Sequence, residues 1–146
     1  MKRIQMWIAI FSCLISLQAF GQNNDLASWS DNDLAEMRSV VQQQLSAINQ
    51  NDAEMAFAFV SPGVQEAFGT SDRFLFMVRR GYGALYMPRH VEFLELTLVN
   101  GETVLPVRLV AQDGDVEVAL YEMQRQEDHQ WRINGCDIAK SELTAL

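Results

Sequence analysis

The hydrophobic period of this chain changes once, at Pro88, and does not change back. Upstream, apolar residues recur at three- and four-residue steps. Downstream, they come in short runs of Val, Leu, Ile and aromatics divided by turn residues. Helices first and consecutive hairpin strands afterwards define a segregated α+β domain, with N-terminal helices packed on a curved antiparallel sheet of about four strands.

In the upstream half, Ser30 or Asp31 can cap a helix over 32–49, with Leu34, Met37, Val41, Leu45 and Ile48 on its apolar stripe. Asp52 can cap a second helix running to Val60, whose small residues suit close packing on the first. Ser61-Pro62 is a cap followed by Pro at the first helical position, opening a short turn that stops at Gly69. A further helix starts near Ser71, carries Phe74, Met77 and Val78 on one stripe, and has Arg79 and Arg80 in its last turn, with Gly81 as the C′ residue. In the downstream half, Val91–Val99, Thr103–Ala111, Val116–Met123 and Gln130–Ile138 read as strands. Asn100-Gly101 and Asp113-Gly114 are strong hairpin signals. Pro106 makes its strand an edge or a bulge, and the broken alternation in 91–99 implies a bulge or burial on both faces.

The first 21 residues read as an address. Met1-Lys2-Arg3 is a basic n-region, Trp7 to Leu17 is free of charge and mostly apolar, and Ala19-Phe20-Gly21 places small residues at a cleavage site. The apolar run falls short of the ~20 residues of a permanent span, and no later segment is long and apolar enough to cross a membrane. Cleavage is expected between Gly21 and Gln22, giving a periplasmic or secreted protein. Ile10-Phe11-Ser12-Cys13 resembles a lipoprotein box, but Phe11 fits it poorly. The expected organisation is a signal over 1–21, a polar leader over 22–31, one domain over 32–140 and a tail over 141–146.

Of 146 residues, 125 remain after cleavage, which suits one domain with a sufficient core. Losing Lys2 and Arg3 takes the formal net charge from −8 to −10. Such a surface repels phosphate backbones, so no nucleic-acid partner is expected; plain solubility accounts for the acidity. Cys13 leaves with the leader, so Cys136 has no partner for an internal disulfide and is expected to be a buried, inert thiol.

Several phrases stand out together: Asn51-Asp52-Ala53 leading into Ala56-Phe57-Ala58-Phe59-Val60-Ser61-Pro62, then Phe74-Leu75-Phe76-Met77-Val78-Arg79-Arg80-Gly81-Tyr82, and finally Trp131-Arg132-Ile133-Asn134-Gly135-Cys136. Over about 36–138 this string resembles an uncharacterised bacterial family of small, often exported proteins that carry a domain of unknown function. Val60 departs from the Ala of that pattern. The resemblance implies no activity and no catalytic residues. The element order looks like the nuclear transport factor 2-like, or cystatin-like, cone, in which a curved sheet wraps helices around a pocket. Such scaffolds host many functions.

One segment concentrates chemistry. Residues 79–90 hold three of the nine arginines and lysines left after cleavage, two tyrosines and one of two histidines. Arg79, Tyr82, Tyr86 and Arg89 are therefore the candidate ligand-binding residues, lining the mouth of a pocket for a small anionic or aromatic ligand. The competing reading has Arg79 and Arg80 serving the helix C-terminus, the tyrosines covering the core edge and Arg89 pairing with a carboxylate. His90 and His129 lack metal-ligand spacing, and no nucleophile elbow, phosphate loop or paired-cysteine motif occurs, so no metal, cofactor or catalytic residue is assigned. Trp131 reads as a core or sheet-face residue. The leading expectation is a non-enzymatic binding domain with a pocket between helix and sheet. An assembly protein or homodimer comes next, then a small isomerase- or hydrolase-like enzyme built on Tyr82 or Tyr86 with a buried carboxylate.

Overall fold

Ser30 caps the first helix. Its hydroxyl accepts the Asp33 N–H (3.1 Å), and the Asp33 carboxylate accepts the Ser30 N–H (3.0 Å), so the first two orphan donors of the helix satisfy each other's residues. The computed structural model describes residues 29–144. The leader over 1–21, Cys13 and most of the polar stretch 22–31 lie outside the described residues. From this box α1 runs Asp31–Asn49, followed by α2 (Ala53–Ala58), α3 (Pro62–Phe68), α4 (Ser71–Gly81) and a 3₁₀ turn, Gly83–Leu85. Asp52, Ser61 and Thr70 each accept a backbone N–H as the N-caps of α2, α3 and α4. No helix among the described residues is long and apolar enough to cross a membrane.

Five strands follow: β1 (His90–Phe93), β2 (Thr97–Val99), β3 (Glu102–Val110), β4 (Asp115–Arg125) and β5 (Trp131–Thr144). All pair antiparallel in the order β1-β3-β4-β5, with β2 also on β3. The run 91–99 is thus two strands, and Pro106 explains the division. Leu94 N–H donates to the Pro106 carbonyl (2.9 Å), so Pro106 turns its hydrogen-free nitrogen toward the same side. The ladder there is interrupted: β2 pairs with 102–104 and β1 with 107–110. Pro106 sits in a central strand, at a point where that strand is locally an edge.

Two other differences are local. Gly81 closes α4 within the helix and Tyr82 caps it at φ −130°, with its N–H on the Val78 carbonyl; Gly81 does not take the left-handed C′ conformation. β5 continues to Thr144, through positions read as a tail. The hairpin at Asn100-Gly101 behaves as its sequence requires, with φ of 53° and 85°.

The core forms where α1 lies on the sheet. Met37, Val41 and Ile48 are fully buried, as are Leu105, Val107, Leu109, Ala119 and Tyr121 from β3 and β4. Burying one such aliphatic side chain contributes about 1.5–3 kcal/mol. Trp131, 6% exposed, fastens the start of β5 to the first turns of α1: its indole N–H donates to Asp33 (3.0 Å) and its backbone N–H to Glu36 (3.1 Å).

Candidate functional site

β5 carries one residue too many for its partner. Met123 faces Ile133 and Glu122 faces Gly135, which leaves Asn134 unopposed in a bulge. At the same place the chain before α3 crosses the strand. Ser61 N–H donates to the Ile133 carbonyl (2.8 Å), and Ile133 N–H donates to the Phe59 carbonyl (2.9 Å), a short parallel bridge. The bridge ties the chain before α3 to β5 directly beside the bulge.

Beside the bulge lies a cavity of about 580 Å³. Phe68 of α3 and Phe74, Met77 and Val78 of α4 line it on the helical side, and Leu120 and Val104 on the sheet side. Phe68 and Phe74 meet edge to face, with ring centroids 5.3 Å apart, which stiffens that wall. Its volume lies in the range of small-molecule sites, and its composition, mostly apolar with a few convergent polar groups, is typical of them.

The polar groups form a chain. Ser61, fully buried, donates its hydroxyl to Asn134 Oδ1 (2.7 Å), and Asn134 Nδ2 donates to Glu122 Oε1 (2.6 Å). The serine hydroxyl also accepts the Val64 N–H (3.3 Å), so the cap of α3 is the first link. Asn134 therefore has its amide orientation set from both ends. Gln44, also buried, lines the cavity and donates to the Ala56 carbonyl (3.2 Å). Tyr82 and Cys136 also line it, as do Asn100, Glu102 and Asp137. Burial raises the Tyr82 hydroxyl above its usual pKa, aided by the nearby Cys136 and Asp137. Burial, with a smaller push from Asp137, raises the Cys136 thiol to about 12. Cys136 is half-buried, packed against the core and protonated at neutral pH, which makes it a poor nucleophile.

The four residues singled out in the sequence do not converge. Tyr82 alone lines the cavity. Tyr86 is half-buried against the core, under the Arg79 guanidinium 5.1 Å from its ring centre. Arg89 is exposed, and its backbone N–H extends the β1–β3 ladder to the Val110 carbonyl (2.7 Å). Their segment is tied down locally, with Met87 N–H on Asn49 (2.6 Å) and the Gln112 amide on the Met87 carbonyl (2.8 Å). Ser61, Glu122, Asn134 and Gly135 were not singled out as site residues. One signal pointed to them: an Asn-Gly pair inside a strand-like run, where Gly marks a bulge or a close approach.

Fold and site together define an α+β domain of helices followed by an open five-stranded antiparallel sheet, with a largely apolar cavity between the layers. A family model described as Domain of unknown function (DUF4864) matches residues 30–145, and the chain belongs to that family. No curated protein and no solved structure matches it.

Proposed function

We propose that this chain is a non-enzymatic binding domain that holds a small, largely apolar molecule in the cavity between α3–α4 and the sheet. The observation that carries this reading is the cavity itself: about 580 Å³, walled by aromatic and aliphatic side chains, with one oriented polar chain at Asn134. Ser61, Asn134 and one Glu122 oxygen are engaged with one another and the thiol is held protonated, which supports retention of a ligand rather than chemistry on it. The test uses N-phenyl-1-naphthylamine, a neutral apolar fluorophore. Saturable binding is expected, and Gly135→Leu is expected to abolish it. A Cβ at Gly135 makes only ordinary contacts, 3.5 Å from Glu122 Oε2 and 3.8 Å from its Cβ, so the backbone accepts the change and the larger side chain fills the cavity. Unchanged binding by Gly135→Leu overturns the reading.

An assembly role rests on a separate observation. Phe76 is 56% exposed on α4, and Met77 beside it is 46% exposed. Light scattering decides this one, since a monomer across the working concentration range removes the homodimer.

The same proposal places the domain outside the cytoplasm, after cleavage between Gly21 and Gln22. The tripartite leader supports this. The intact mass of the protein recovered from its source cells tests it, and a cytosolic chain that retains Met1 overturns it.

A further inference from the structure

The cavity is lined by the carboxylates of Glu102, Glu122 and Asp137, and none of its lining residues among the described residues is Arg, Lys or His. None of the three forms an ion pair among the described residues, where Arg108 is engaged by Glu92 and Arg125 by Asp33. Glu102 and Asp137 are exposed, whereas Glu122 is half-buried. Asn134 occupies only one of the two Glu122 oxygens. The other, Oε2, lies beside Gly135, where the missing side chain leaves it uncovered. An ionised carboxylate has about four acceptor sites, so this oxygen retains capacity toward the cavity.

Charge complementarity then selects the occupant. An anionic ligand would meet three like charges with no counter-ion. A wholly apolar ligand would strip water from Glu122 and leave nothing in its place. A protonated amine replaces that water with a short, charge-assisted N–H···O bond. We propose that the cavity takes an amphiphilic amine, with its apolar body against Phe68, Phe74 and Met77 and its ammonium on Glu122 Oε2. This rests on the reading of the cavity as a binding site and names the class of molecule bound. It also replaces the anionic ligand expected from the arginines, because Arg79 and Arg89 lie outside the cavity lining.

The experiment is displacement of N-phenyl-1-naphthylamine at near-neutral pH by three probes of equal chain length: n-octylamine, n-octanol and octanoate. The amine is expected to displace the fluorophore at concentrations about tenfold below the alcohol, and lower still than the carboxylate. Glu122→Gln is expected to remove the advantage of amine over alcohol while the fluorophore still binds, and Glu122→Asp to keep much of it. Octanoate matching octylamine, or Glu122→Gln preserving the amine preference, overturns the proposal. If the fluorophore shows no saturable binding, or Gly135→Leu still binds it, the cavity reading has failed, and the amine proposal falls with it.

Discussion

Cys136 should make this domain lose stability in alkali by an amount that one substitution removes. In the folded chain burial raises its thiol from 9.0 to about 12; unfolding returns it to water and to the lower value. A group whose folded pKa is raised contributes stability that is intact below the unfolded pKa and declines as pH rises toward the folded one. Between those values the folded state keeps a proton that the unfolded state has released, so each pH unit costs about 1.4 kcal/mol. From about pH 8 to about pH 10.5 the loss due to this thiol is about 2 kcal/mol. The cavity brings solvent near the sulfur, so that is an upper figure. Cys136→Ala changes packing by an amount independent of pH and deletes the pH-dependent part. Urea unfolding followed by tryptophan fluorescence, repeated across that range, should show the two proteins converging as pH rises. Native alkylation by iodoacetamide at about pH 8 should be slow for the same reason. Stability curves that stay parallel to pH 10.5, or fast alkylation of the folded protein, would refute the argument, because both require a thiol that ionises normally in the native state.

Three further outcomes follow from buried or capped polar groups. Tyr121 is fully buried and its hydroxyl has no hydrogen-bond partner among the described residues, so Tyr121→Phe should leave stability unchanged or raise it by about 1–2 kcal/mol; a lowered urea midpoint would show that the hydroxyl is satisfied in solution. Ser61→Ala removes the α3 cap and the donor that orients Asn134, and should cost about 1–3 kcal/mol by the same measurement, with Ser61→Thr recovering part of it. The Asp33 carboxyl is lowered from 3.8 to about 2, chiefly by hydrogen bonds from Ser30 and Trp131. Because the folded value is depressed, its contribution is present above about pH 4 and lost as pH falls toward 2; Asp33→Asn should lower the melting temperature at neutral pH and flatten that acid limb.

The fold was largely legible because it depends on local signals. Periodicity marked α1, side chains that accept neighbouring N–H groups marked the helix starts, and Asn100-Gly101 marked a hairpin whose two residues both take positive φ. Even the break between β1 and β2 was written in Pro106, although only the direction of its nitrogen shows why a central strand tolerates it. The site was not legible in the same way, since its chemistry is assembled across the chain. Ser61 and Asn134 are 73 residues apart and Glu122 and Asn134 are 12 apart; they meet because a single extra residue in β5 shifts the register.

The dense run from Arg79 to Arg89 does not converge on one place, for a geometric reason. Between Arg79 and Arg89 the backbone passes from α-helix through a 3₁₀ turn into an extended ladder. Neighbours in such a segment leave the backbone in different directions. The result is one tyrosine in the cavity, one beneath an arginine and one arginine in solvent. A strand does the opposite: residues paired across it share a face, so Glu122 and Gly135, each unremarkable alone, are set side by side. Strand pairing beside a bulge thus brings distant residues together, which a run of arginines does not do where the backbone changes conformation. For this chain the proposed amine site rests on that pairing, while Arg79 lies over Tyr86.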